Sequence, residues 1–380
     1  MRAGPDRSLR IVLGPPGGAL GWTARFAARS LWILAIAIAV LWAIGAILND
    51  RWHWSQYLWW IPSLVAGAAG SACALGGWII WIVQRWLIGP VPSAGVARGR
   101  TAKLGLAALA TIVPTWIAFA AMDLAWTGRT IDSGALDSRS PGSIRLLSLN
   151  AMGTTEIDPL AWAASLDPDL AMLANTRRVT EARAVESLSR TSLARAHTTR
   201  QMRFFIVSRW PIIDQGFLSL RLGGEAVLRN IQDPEQFRDP GLAGYVVIEP
   251  PGTDPVVVWM IDLPSDLSRH RAEFTRLARE RIGEYQRSDG RTGFPEPDAI
   301  MGDFNIPRGS ASTELLTGPN ARSAFAMGGR GYGASWPRAT PLWHIDQILV
   351  DPRRWAVEAH ALPDPGAGSH RAVVADLTKR

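Results

Sequence analysis

With 380 residues the chain has room for two or three domains and a sizeable core, and its apolar share of 47% is ordinary overall but unevenly spread. Its one cysteine, Cys73, lies in an apolar run, which excludes internal disulfides and cysteine-based metal sites. The formal charge of +7 belongs to the first third, where nine arginines and Lys103 face only Asp6, Asp50 and Asp123; the remainder holds thirty residues of each sign and has no basic footprint for nucleic acid.

Three apolar runs fill the region 1–126. Residues 31–48 carry no charge, residues 57–83 are uncharged with Trp59, Trp60, Trp78 and Trp81 toward the ends, and residues 104–124 are interrupted only by Pro114 and Asp123. Crossing a bilayer takes roughly 20 apolar residues in helical form, and flanking tryptophans suit its interfaces. The pattern predicts three transmembrane helices. Arg2, Arg7, Arg10, Arg25 and Arg29 precede the first run; Arg85, Arg98, Arg100 and Lys103 lie between the second and third; only Arg51, beside Asp50, lies between the first and second. The positive-inside rule then places the N-terminus in the cytoplasm and everything after Trp126 outside it. The expectation is an integral protein of a plasma membrane, read as bacterial, with an extracytoplasmic C-terminal domain.

Residues 127–142 (TGRTIDSGALDSRSPG) read as a polar linker. From 143 to 380, strand-like runs alternate with helical patterns, which predicts a mixed-sheet α/β domain. Strands are expected at 144–149, 170–174, 204–207, 245–248, 256–261, 299–301, 345–350 and 372–377, and helices at 159–166, 179–193 and 267–285. Polar residues fall at the strand ends: Asn150, Asn175, Asp262, then Asp303 with Asn305, and His370 just before the last strand. In IMGDFNIP the i, i+2 spacing presents Asp303 and Asn305 side by side, a carboxylate to orient or deprotonate water and an amide to meet developing negative charge. Arg177 and Arg178 follow the Asn175 strand toward a pocket mouth, whereas His197, His270 and His360 fit no motif.

Six segments in this order resemble the endonuclease/exonuclease/phosphatase superfamily: IRLLSLNAMG, DPDLAMLANTRR, FFIVSRWPI, IMGDFNIP, HIDQILV and GSHRAVVADL. The resemblance implies a DNase I-like four-layer α/β sandwich over 143–380, with two mixed β-sheets packed between helices. It also implies phosphoester hydrolysis with Mg²⁺ or Mn²⁺. Carried over residue by residue, Asn150 helps bind metal and phosphate, Asp303 orients the water, and Asn305 binds phosphate. His370 takes the catalytic histidine's place and Asp346 that of its supporting acid.

Three positions depart from the family pattern. Asn175 replaces the metal-ligating glutamate, Asp262 the phosphate-contacting histidine, and Ser369 the aspartate before His370. A hard divalent cation wants anionic oxygens, so Asn175 weakens the family's site, while Asp262 adds a carboxylate at a new place. The expected metal set is therefore Asp262, Asp303, Asn175 and Asn150. Two readings follow: a membrane-anchored, metal-dependent phosphoester hydrolase, or an impaired relative that binds a phosphate ligand as a regulatory module. The substrate class stays open; the domain's charge does not indicate nucleic acid.

Overall fold

The computed structural model describes residues 19–88, 95–126, 128–130, 139–176, 179–222 and 240–380. Arg2, Arg7, Arg10, Arg177 and Arg178 lie outside these described residues. The chain divides into two compact units. One comprises the chain up to Leu48 with Tyr57–Met122, and the other comprises Asn49–Gln56 with Asp123–Arg380.

The first unit contains three long helices: α1 (Ala19–Leu48), α3 (Ser63–Ile88) and α4 (Gly95–Met122). A short helix, α2 (His53–Trp59), lies between α1 and α3. Each long helix contains a stretch long and apolar enough to cross a membrane, at Gly21–Leu48, Ser63–Leu87 and Thr101–Met122. Compared with the expected spans, α1 begins earlier, and the second run breaks before Pro62 into α2 and α3 because proline disfavours helix in the residue preceding it. Small residues let the helices approach. A Cβ at Gly77 would lie 2.5 Å from Trp32 Nε1, and that nitrogen donates to Ala74 O at 3.1 Å. Ile33, Ile47, Ile79, Trp86 and Ile117 point outward, as helices facing an apolar medium would.

In the second unit two mixed sheets stack face to face. The first runs β2 (Arg129–Thr130), β14 (Trp355–Ala361), β15 (Val373–Lys379), β3 (Ile144–Asn150), β4 (Leu170–Ala174), β6 (Phe204–Ser208) and β5 (His197–Gln201). The second runs β11 (Arg322–Ser323), β13 (Asp346–Val350), β10 (Ala299–Asp303), β9 (Val256–Asp262), β8 (Leu242–Ile248) and β7 (Ile212–Ser219). A small pair, β1 (Leu124–Ala125) with β12 (Gly331–Tyr332), completes the sheets among the described residues.

Period-two alternation explains the layering. Leu146, Met172, Phe204, Ile206, Met260, Met301 and Ile348 point between the sheets and form the central core. Their neighbours Leu147, Leu173 and Phe205 face the other way, under α5 (Pro159–Ser165) and α6 (Glu181–Leu188). On the far side, Trp259, Ile261 and Ile300 pack with α7 (Arg271–Gly283) and α8 (Ala311–Thr317). A short helix, α9 (Ala324–Gly328), follows β11. The result is the expected four-layer α/β sandwich.

The unit begins at Asp123 rather than 143, so the expected linker contributes β2. It also includes Asn49–Gln56, residues far away in sequence. Neither His270 before α7 nor Ser310 before α8 caps its helix with its own side chain. Gln56 Oε1 accepts from Arg271 N at 3.0 Å, and its amide nitrogen donates to Leu267 O at 3.0 Å. Asn49 Oδ1 accepts from Ala311 N at 2.9 Å, and Asp50 accepts from Ser312 N at 3.1 Å and from the Ser312 hydroxyl. His270 Nε2 lies 2.8 Å from Asp50 O. Asp50, Ser55 and Gln56 are fully buried. The segment thus supplies the N-terminal acceptors that two helices lack in their own sequence.

Candidate functional site

The site lies at one edge of the sandwich. β3, β4, β9 and β10 end there, carrying Asn150, Asn175, Asp262 and Asp303, while β13 begins there with Asp346. His370 sits just before β15 at the same edge. Asp303 pairs in register with Asp262 on β9 and with Asp346 on β13, so three carboxylates stand side by side on adjacent strands. All three are buried, as are Asn150 and His370.

Gly302 makes the central position possible. Its φ is +144°, and a Cβ there would fall 1.8 Å from Ile261 O. Any larger residue would push β10 off β9 and separate Asp303 from Asp262. Asn175 (φ +59°) and Asn305 (φ +47°) also adopt left-handed backbone, a strained state for a residue with a side chain and one that clusters at functional sites.

One hydrogen-bonded network joins the expected residues. Asn150 Nδ2 donates to Asp303 Oδ2 at 2.9 Å and lies 3.4 Å from His370 Nε2. His370 Nδ1 is 2.9 Å from Asp346 Oδ2, and that oxygen also accepts from Ser335 Oγ at 2.6 Å. Asp303 Oδ1 accepts from Asn305 N at 2.9 Å. The Asn305 amide nitrogen donates to Leu263 O at 2.7 Å, which anchors it at the site's rim. Asn175 Nδ2 donates to Asn150 Oδ1 at 3.0 Å and to Asp262 Oδ2 at 3.4 Å. Ser369, in contrast, turns its hydroxyl to Met152 O at 3.3 Å, outside the network.

Burial raises the Asp303 carboxyl well above the ordinary carboxylate range, and the neighbouring Asp346 charge adds to this. Burial alone would lower His370, but the charge and hydrogen bond of Asp346, with Asp303 and Asp262 behind, outweigh it and raise the imidazole. An acid that binds its proton tightly therefore faces a histidine inclined to be cationic, a pairing suited to acid–base chemistry.

Two neighbours carried no signal in the sequence. Arg203, at the turn between β5 and β6, donates from Nη1 to Asn175 Oδ1 at 3.3 Å. Trp336 lies tilted beside His370 with ring centroids 6.5 Å apart, and Trp343 packs against Trp336, also tilted, at 5.2 Å. In FFIVSRWPI the arginine is Arg209, whose guanidinium pairs with Asp167 and Asp169. No spacing rule ties Trp336 to His370.

The donor set fits a hard divalent cation in kind. It offers the Asp262 and Asp303 carboxylates and the Asn150 and Asn175 amide oxygens, and buried carboxylates need a compensating charge. The carboxylate and imidazole ligand atoms that lie within 4.8 Å of one another are those of Asp303, Asp346 and His370, and of these Asp346 is also held by His370 and Ser335. Asn175 turns its NH₂ group toward Asn150 and Asp262. It must rotate to present oxygen to a cation.

No curated protein shows detectable similarity to the chain. Solved structures similar to it include an endonuclease/exonuclease/phosphatase from Beutenbergia cavernae at 17% identity and TM-score 0.41, covering 62% of this chain and 72% of that one. Truncated TDP2 of Caenorhabditis elegans aligns at 12% identity and TM-score 0.39, covering 62% of this chain and 98% of that one. The inositol polyphosphate 5-phosphatase domain of SPsynaptojanin, solved with inositol (1,4)-bisphosphate and calcium, aligns at 13% and 0.39, covering 62% and 84%. Residues 147–370, more than half the chain and nearly the whole sandwich with its edge site, match the Endonuclease/Exonuclease/phosphatase family, and the chain belongs to it.

Proposed function

We propose that the protein is a membrane-anchored phosphoester hydrolase dependent on Mg²⁺ or Mn²⁺, with its sandwich domain outside the cytoplasm. The observation that carries the reading is the joining of Asn150, Asp303, Asp346 and His370 in one buried network at the strand ends. Asp262, Asp303, Asn150 and Asn175 would hold the cation, which when bound neutralises phosphate charge and polarises the phosphorus–oxygen bonds. Asp303 orients the attacking water and takes its proton. His370, held by Asp346 and Ser335, faces the developing charge and supplies a proton to the leaving oxygen. The Asn305 amide has a second N–H beyond the one given to Leu263 O, and this donates to phosphate. The basic residues flanking the apolar runs support the proposed orientation.

The test is hydrolysis of bis-p-nitrophenyl phosphate and p-nitrophenyl phosphate by the full-length protein in detergent, with and without Mg²⁺ or Mn²⁺. Turnover should require metal and fall by about 10²-fold or more in Asp303→Asn and His370→Ala. Metal should also raise the melting temperature, corresponding to about 2.7 kcal/mol at a hundredfold excess over Kd. Asp303→Ala should abolish that shift, Asp262→Ala should weaken it, and Asn175→Glu should enlarge it. Absence of both turnover and metal response would overturn the reading. The alternative, a phosphate-binding module without hydrolysis, is favoured by the engagement of Asn175 with Arg203.

A further inference from the structure

The sandwich has a second opening, at the edge opposite the network. A cleft of about 370 Å³ lies where β3, β4 and β9 begin, lined there by Ile144, Asp169 and Val256, with Trp210 after β6 and Trp355 at the start of β14. Asn150 and Asp262 stand at the other ends of β3 and β9. At about 3.3 Å per residue, the seven residues of β3 put roughly 20 Å between cleft and network. Ile144, Val256 and Trp355 belong to the core between the sheets, so the cleft opens onto the end of that core.

Its size is at the small end for ligand clefts, which run from roughly 300 to 1,000 Å³, and its lining has their usual mixture of apolar walls and a few placed polar groups. Trp210, Pro250 and Pro251 supply flat walls. The polar groups are held in a cluster. Arg139 Nη1 donates to Asp169 Oδ2 at 2.7 Å, Arg209 Nε to Asp169 Oδ1 at 2.8 Å, and Arg209 Nη2 to Asp167 Oδ1 at 2.6 Å. Asp169 Oδ2 also accepts from Arg145 N at 2.9 Å, which ties the cluster to the start of β3. Each guanidinium carries five N–H groups, more than these bonds use. The charges cancel, two arginines against two aspartates and, at the rim, Lys379 against Asp254. Ser143 completes the lining. Its hydroxyl is buried and, among the described residues, has no hydrogen-bond partner, an arrangement that costs the free protein stability.

These features select a ligand. The charge balance favours neither a phosphate nor a cation. Spare N–H groups and a hydroxyl call for oxygen atoms, while indole and prolyl rings call for a flat face of C–H groups. A sugar ring has both, and its hydroxyls donate as well as accept. We propose that this cleft is a binding site for an uncharged saccharide, separate from the phosphoester site and independent of whether that site hydrolyses.

The experiment is thermal and calorimetric titration of the full-length protein with glucose, N-acetylglucosamine and maltose, in lauryldimethylamine oxide, a detergent without a sugar headgroup. At least one sugar should give a saturable rise in melting temperature. Trp210→Ala should weaken its affinity about tenfold by removing a wall. Trp210 also packs against the core, so Ser143→Ala is the decisive variant. It should leave the sugar-free protein at least as stable as wild type, because the deleted hydroxyl has no partner there, yet weaken sugar affinity about fivefold. Asp303→Asn should bind the sugar as the wild type does. No response to any of the three sugars, or unchanged affinity in Ser143→Ala, would overturn the proposal. Loss of sugar binding in Asp303→Asn would also overturn it, by placing the ligand at the network instead.

Discussion

His360 is buried on β14 against Phe325, ring centroids 5.3 Å apart. Burial, then the charges of Arg308 and His344, pushes its pKa down from 6.5 to about 3. The unfolded chain therefore takes up this proton first as pH falls. The stability linked to His360 is complete above about pH 6.5 and is lost progressively toward pH 3. The loss is on the order of 2 kcal/mol by pH 5, or roughly 4–8 °C of melting temperature. His360→Leu removes the titration, so the variant's melting temperature should fall less steeply than the wild type's between pH 7 and 5. Equal slopes would show that the imidazole stays neutral for another reason or opens readily to water. In the sequence His360 matched no motif. Its burial follows from β14, a strand whose alternation in WAVEAHA is broken by an irregularity between Val357 and Ala359.

At the scale of elements, β3 and β15 are joined by a charge pair as well as by their ladder. Arg145 and Asp376 are opposite in register, and Arg145 donates to the two carboxylate oxygens at 2.7 and 2.8 Å inside the fold. Asp376→Ala leaves a buried guanidinium uncompensated and should cost about 3–5 kcal/mol, whereas Arg145→Met with Asp376→Leu should cost less. Thermal melting of both variants checks the order. The strand containing Arg145 was legible from its apolar run, but the buried pair was not, because its partner lies 231 residues away. Other elements divide the same way. β4 matches its expected span of 170–174 because Leu170–Ala174 is apolar and bounded on both sides. β5 carries no apolar signal because HTTRQ is a polar edge strand with little burial. The helix expected over 179–193 is only Glu181–Leu188, opened by the Thr180 cap and followed by turns. The ordered polar residues at strand ends were readable in series. Their mutual hydrogen bonds, Arg203 among them, depend on how two sheets face each other.

For the whole molecule, the cut that the linker suggested at residue 143 is not where the folded unit ends. A fragment of 143–380 lacks β1, β2 and the Asn49–Gln56 segment that caps α7 and α8. Losing a helix cap costs about 0.5–2 kcal/mol. In the full chain, Asp50→Ala and Gln56→Ala should each lower the melting temperature of the sandwich domain, and the excised fragment should melt lower still or precipitate. A fragment as stable as the intact domain would mean that these caps add nothing.

The Asn49–Gln56 segment also has a consequence in time. Gln56 must wait for Leu267, 211 residues later, before it can dock. At synthesis rates of about 5–20 residues per second that delay is roughly 10–40 s. During that interval Gln56 stays hydrated, and a chain stopped before Ser312 still leaves Asp50 without the Ser312 amide and hydroxyl. The last pieces to arrive, Asp346 and His370, follow that docking partner. The residues of the network therefore come together only after the chain is nearly complete, and a prematurely released product would carry the long helices without the assembled network.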